Sequence, residues 1–329
     1  MDVKQDAATP LHAVTADRMI ELVGEAFGAP GFIGLTGSLA AGYGNRASDI
    51  DVYAVVDGPV MQIPIAAYED GHRVDVRYFG RDEVTAWPAL LRTPPDAASA
   101  GHAGYKKRRA ALQATVRFAL ARVLAERDEL AEWSRDLRGP WLGRAVADWW
   151  AAEARRRALA AAWLDRGAWE PRWLRAADAG LAALECRAAR SGHLFFGAKW
   201  LGEKFRQSGD ADALAALRRC LAFGPPDDLV AFTAFTADLV ASDAPFDAAR
   251  HRWALTPATG VEIHRYLGRY VVSRWNMRGA EVPEDEGAPL ADPARVWTGR
   301  WDERPDPVLL ALLEADLLWL SVITDGSAP

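Results

Sequence analysis

The chain has 329 residues, 50% hydrophobic and 26% charged, an ordinary globular composition and long enough for two domains. A formal net charge of −6 argues against a protein that works on duplex DNA or tRNA, because backbone binding needs clustered Lys and Arg to displace counterions. Cys186 and Cys220 lie far apart without zinc-type spacing, against a disulfide framework or a structural metal; no signal or membrane segment is legible, so a cytoplasmic chain with no membrane partner is expected.

Thr15 to Phe27 carries Met19, Ile20, Leu22, Val23 and Phe27 at helical spacing, with Thr15 placed to cap and Gly28 to stop it. Phe32 to Thr36 reads as a buried strand, and Ile50 to Val56 as a second that ends at Asp57-Gly58-Pro59. Ile63 to Tyr68 and His72 to Phe79 flank Glu69-Asp70-Gly71, a hairpin signal. From about Tyr105 the period changes to that of helices rich in Ala, Leu and Arg, broken at Gly139-Pro140, Gly167 to Pro171, Gly224 to Pro226 and Ser242 to Pro245. A linker from Thr93 to Gly104, a surface loop from Glu281 to Pro293 and a last helix from Pro307 to about Val322 complete the reading. The expected class is α+β, with a small mixed-sheet domain over residues 1–100 and a mainly helical domain over 101–329.

The chemistry gathers in Gly37-Ser38 followed, after ten residues, by Asp49-Ile50-Asp51. At a strand start the period of two puts both carboxylates on one face with Ile50 and Val52 in the core, and two adjacent carboxylates invite a cation. A glycine-serine turn at a strand end presents backbone N–H groups and a hydroxyl to an anion. Phosphate at one end and divalent metal at the other describe a nucleoside triphosphate site. Taken singly, Gly37-Ser38 also reads as a plain turn and Asp49 as a cap.

This pattern resembles the nucleotidyltransferase superfamily related to DNA polymerase beta, over roughly residues 15 to 80. The resemblance implies a third carboxylate on a neighbouring strand, which Asp75 supplies between Val74 and Val76, ahead of Asp57, Glu69 and Asp70, which sit in turn-like sequence; the competing role for Asp75 is a salt bridge with Arg73 or Arg77. It further implies in-line attack of an acceptor hydroxyl on the α-phosphorus of a nucleotide, ATP by family habit, with pyrophosphate leaving. Two Mg2+ ions would be held by Asp49, Asp51 and Asp75, the phosphates by Gly37 and Ser38, and the acceptor's proton would pass to Asp75.

The helical part is expected to form the second wall of the nucleotide and acceptor cleft. Within it, His193 to Lys204 loosely resembles a lysine-tryptophan helix of some members, which implies that Lys199 reaches the triphosphate; equally, Trp200, Leu201 and Phe205 read as a core stripe with Lys199 solvated. The basic run Gly104 to Arg109 reads as a phosphate contact or, more simply, a wet helix face. Trp149, Trp150, Trp163, Trp169 and Trp173 read as helix-packing residues. Three functions follow: transfer of a nucleoside monophosphate to a small molecule, the same transfer to a protein as in minimal antitoxins, or a catalytically silent nucleotide-binding module.

Overall fold

A computed structural model describes residues 16–27, 29–45, 47–58, 60, 65–69, 71–95, 101–165, 167–275, 279–292 and 295–324. Thr15 and Gly28, expected to bound the first helix, lie outside the described residues. The chain divides into two compact units, and neither is a continuous stretch. Unit 1 holds residues 1–92, 110–145 and 192–203, and unit 2 holds 93–109, 146–191 and 204–329.

Unit 1 opens with α1 (Ala16–Phe27), β1 (Phe32–Thr36), the single turn α2 (Gly37–Ala40), β2 (Ile50–Val56), β3 (Ile65–Glu69), β4 (His72–Gly80) and α3 (Arg81–Arg92). The strands fall where the apolar runs and the hairpin signal place them; Ile63, Pro64 and Asp70 of the expected hairpin lie outside the described residues. Helix α4 (His102–Leu120), which begins in unit 2, leads to β5 (Arg122–Glu126) and α5 (Asp128–Leu137). The sheet order is β3-β4-β2-β1-β5, with β2 and β4 parallel and the other neighbours antiparallel. Strand β5 corrects the expectation that everything after residue 101 lies outside this sheet.

The period of two gives the sheet two unlike faces. Ile33, Leu35, Ile50, Val52, Ala54, Val56, Val74, Val76 and Tyr78 form one core with Met19 and Val23 of α1. Burying an aliphatic side chain in this way is worth roughly 1.5–3 kcal/mol. On the opposite face Phe32, Tyr53 and Phe79 pack with Phe118 of α4 and, beyond them, Trp87 and Trp133, ring centroids 4.9–6.3 Å apart. This aromatic cover lies over the C-terminal halves of β2 and β4; Asp51, Asp75, Arg73 and Arg77 precede it in those strands, partly or fully exposed.

Unit 2 is helical through α6 (Pro140–Trp163), whose first turns belong to unit 1, α7 (Trp169–Arg190), α8 (Leu201–Ser208), whose first three residues belong to unit 1, α9 (Ala211–Leu221) and α10 (Leu229–Asp243); the breaks near Gly167, Gly224 and Ser242 were expected, whereas those at 191–200 and at Gly209-Asp210 were not, and Pro171 lies in the first turn of α7. Trp149, Trp163 and Trp173 are buried; Trp173 is stacked 4.0 Å from Phe232 of α10, in keeping with helix packing, whereas Trp163 packs edge-on against Trp253 of a C-terminal strand at 5.5 Å. Cys186 and Cys220 are buried free thiols, each pushed up to about 11 by burial.

The last eighty residues correct the sequence reading. They form two three-stranded sheets, one of β6 (His251–Pro257), β10 (Trp297–Arg300) and β11 (Leu318–Thr324), the other of β7 (Val261–Tyr266), β8 (Arg269–Arg274) and β9 (Ala280–Pro283). The final helix α11 (Pro307–Glu314) stops early because Asp316 takes a left-handed conformation (φ 57), and Leu318 to Thr324 pairs with β6. The predicted loop after Glu281 is instead the end of β9, a helical turn at Glu284–Gly287 and a 3-10 turn at Ala288–Ala291 that buries Leu290.

Candidate functional site

Strand β1 hands the chain to α2 at Gly37, whose φ of +78 is a region that L side chains rarely adopt. A Cβ there would lie 2.0 Å from Asp51 Oδ2, so only glycine lets that carboxylate pass over the turn. The carbonyl of Ser38 accepts from the N–H groups of Tyr43 (2.9 Å) and Gly44 (2.8 Å), folding the glycine-rich stretch back on itself. Ser38 is partly exposed, and its hydroxyl makes no hydrogen bond among the described residues.

Asp51 lies directly opposite Asp75 in the parallel register of β2 and β4, and opposite Thr36 of β1, whose hydroxyl donates to the Asp51 carbonyl at 3.3 Å. Paired positions share a face, so the two carboxylates are neighbours. Asp49 sits one residue before β2, exposed, and the register continues to place it opposite Arg73. Among the described residues no group of three His, Cys, Asp or Glu side chains is gathered closely enough to hold a metal ion. The donor set that the strands assemble is thus two carboxylates; that fits a hard cation such as magnesium, which is commonly held by one or two carboxylates with substrate oxygens completing its shell.

Each carboxylate has an arginine. Arg117 of α4 places Nη1 3.2 Å from Asp51 Oδ1, its guanidinium also 5.6 Å from the ring centroids of both Tyr53 and Phe195. Arg73 donates its Nε to Asp75 Oδ1 at 3.0 Å, a bond that raises the Arg73 pKa, with Asp49 adding to the effect. Asp75 Oδ2 has no hydrogen bond among the described residues. Tyr53 is raised by burial, against the lowering pull of Arg117 and Arg77.

The segment after α7 also belongs to unit 1. Tyr43 Oη bonds His193 Nδ1 at 2.8 Å, and its ring lies 6.0 Å from Phe195 and 6.1 Å from Trp200, stacked on the latter. Lys199 is exposed in a 3-10 turn, its ammonium 5.0 Å from the Trp200 ring; of the expected core stripe Leu201 and Phe205 are buried, while Trp200 is only half-buried. In the basic run, Arg108 is buried and donates to the Thr93 carbonyl, whereas Lys106, Lys107 and Arg109 form a wet face.

Arg117 and Tyr43 are the site's neighbours that sequence reasoning missed. Tyr43 lies inside the very stretch that drew notice, and a tyrosine between glycines was its signal; Arg117 reads as one more arginine on an Ala-rich helix.

No protein-family model matches the chain, and no curated protein does. Among solved structures it is similar to a nucleotidyltransferase-like protein from Exiguobacterium sibiricum, at 14% identity and a TM-score of 0.41, covering 69% of this chain and 74% of that one.

Proposed function

We propose that the chain is a nucleotidyltransferase that moves a nucleoside monophosphate, AMP from ATP, to the hydroxyl of a small molecule. The observation that carries this reading is the pair Asp51 and Asp75, side by side on parallel strands, with Asp51 running over the glycine-only turn at Gly37. Ser38 and the backbone of that turn hold the phosphates. Asp51 and Asp75, with Asp49 at the edge, would hold magnesium, which supplies charge neutralisation at the transferring phosphoryl group. Arg73 orients Asp75 through Oδ1, and Oδ2 takes the acceptor's proton. The acceptor oxygen bonds to the α-phosphorus as the bond from that phosphorus to the β-phosphate oxygen breaks, and pyrophosphate leaves with the electron pair. Lys199 is the candidate for a further phosphate contact.

The arginines on both carboxylates favour a second reading, a nucleotide-binding module in which the acids are structural ion-pair partners. Incubation with α-labelled ATP, magnesium and a panel of small hydroxyl compounds separates the two. Magnesium-dependent adducts with pyrophosphate release, abolished by EDTA, support transfer; nucleotide binding without release supports the silent module, and no nucleotide binding removes both.

A further inference from the structure

The open half of the sheet face also says which acceptor fits. Strand order runs β3-β4-β2-β1, and the phosphate-holding turn follows β1, so a hydroxyl compound reaching Asp75 Oδ2 approaches from the β4 and β3 side. On that side the face-sharing residues are Arg73 and Arg77 of β4, and Ala66 and Tyr68 of β3, which pair with Asp75 and Arg73 respectively. All four are exposed, Tyr68 at 74%. Glu69 points to the other face, where it accepts from Arg18 of α1 at 2.9 and 3.2 Å.

On β3 and β4 Asp75 is the one carboxylate of this face among the described residues, flanked by guanidiniums two positions to either side, and Asp49, just before β2, lies opposite Arg73 rather than Arg77. Arg77 makes no ion pair or hydrogen bond among the described residues. Arg73 engages Asp75 through Nε alone, which leaves the terminal N–H groups of its fork available. A cationic acceptor on the β3 and β4 side meets two like charges against the single carboxylate of those strands, which Arg73 already engages. An oxyanion meets donors whose fixed geometry matches it.

Resting on the transfer reading above, we propose that the acceptor is a small hydroxyl compound carrying a phosphate or carboxylate. Arg77, with the free side of Arg73, binds the anion, and the Tyr68 ring forms the apolar wall.

The test uses three size-matched probes, glycerol phosphate, glycerol and serinol, which are anionic, neutral and cationic. Each is measured twice: as acceptor for label from α-labelled ATP with magnesium, and for binding to the nucleotide-free protein by saturation-transfer NMR. Glycerol phosphate is expected to be preferred by about tenfold in both, the scale of one charge-assisted hydrogen-bonded contact. Arg77→Gln should remove the preference and Arg77→Lys keep part of it, with melting curves confirming that both variants fold. Equal or better use of glycerol or serinol, or a preference that survives Arg77→Gln, overturns the proposal. Arg77-dependent binding of glycerol phosphate with no transfer of label to any probe means that the transfer reading has failed while the anion site stands. Transfer without charge preference means the reverse.

Discussion

Asp51 and Asp75 stand directly opposite one another on parallel strands, yet each is bonded to a different arginine, Arg117 from a helix and Arg73 from its own strand. The face on which transfer is proposed thus carries its own balancing charge, and its acids and bases can be separated by substitution.

Asp75→Asn keeps the side chain's size and removes its basicity. Its pairing with Arg73 is partly exposed, worth ~0–1 kcal/mol, so the melting temperature should change little. Turnover should fall by about 10² to 10⁴, the usual contribution of general base catalysis. Pyrophosphate release near the wild-type rate would remove Asp75 from the mechanism.

Gly37→Ala sets a methyl group where Asp51 Oδ2 lies and holds a non-glycine residue at φ +78. A stability loss of about 1–3 kcal/mol and a collapse of nucleotide binding are expected. In an Asp51→Ala background the same change should cost less, because the clashing atoms are gone; a double-mutant cycle in denaturant reads that coupling, and strict additivity would mean that the close approach does not matter.

Arg117→Met removes a cation that shares Asp51 with any bound metal. Manganese affinity, followed by electron paramagnetic resonance, should tighten by up to about fivefold, the equivalent of a partly exposed ion pair. An unchanged affinity would show that Arg117 and the metal do not compete.

In unit 2, His102 lies 4.4 Å from Trp319 in a near-parallel stack and accepts from the Thr259 N–H at Nδ1. Burial, then the positive charges of Lys106, Arg274 and Arg156, lower it to about 4 from 6.5. The unfolded chain binds the proton first, so this residue's stabilisation is complete above pH 6.5 and is lost as the pH falls toward 4. Melting temperature should drop between pH 7 and pH 5, by about 2–4 °C per kcal/mol lost, and His102→Gln should flatten that slope. An equal slope in both proteins would assign the acid sensitivity to other groups.

The sheet core was legible because β1 and β2 are short apolar runs punctuated by Gly and Pro and β4 alternates through its first half, and the acids were legible because they break those apolar patterns at a spacing of two. Strand β5 was not, since Arg122 to Glu126 is a short, half-exposed segment between two helices and pairs with a strand far back in sequence. The Leu309 to Leu313 run read as continuing to Val322 because Asp316, not glycine, ends that helix. Arg73 on Asp75 was one of the two roles weighed for that acid; Arg117 on Asp51 was invisible, because no local pattern marks which helical arginine reaches a strand carboxylate.

The discontinuity of unit 1 bears on how the chain is made. Its sheet lacks the β5 edge until residue 126 has left the ribosome, and Tyr43 lacks its His193 and Trp200 partners until well after that. Non-local closure of this kind folds slowly. At translation rates of about 5–20 residues per second, the glycine-rich turn waits roughly ten to thirty seconds with its aromatic neighbours still unmade. A fragment cut at residue 100 reproduces that waiting state: it keeps both aspartates but lacks the edge strand and the rings that pack on Tyr43.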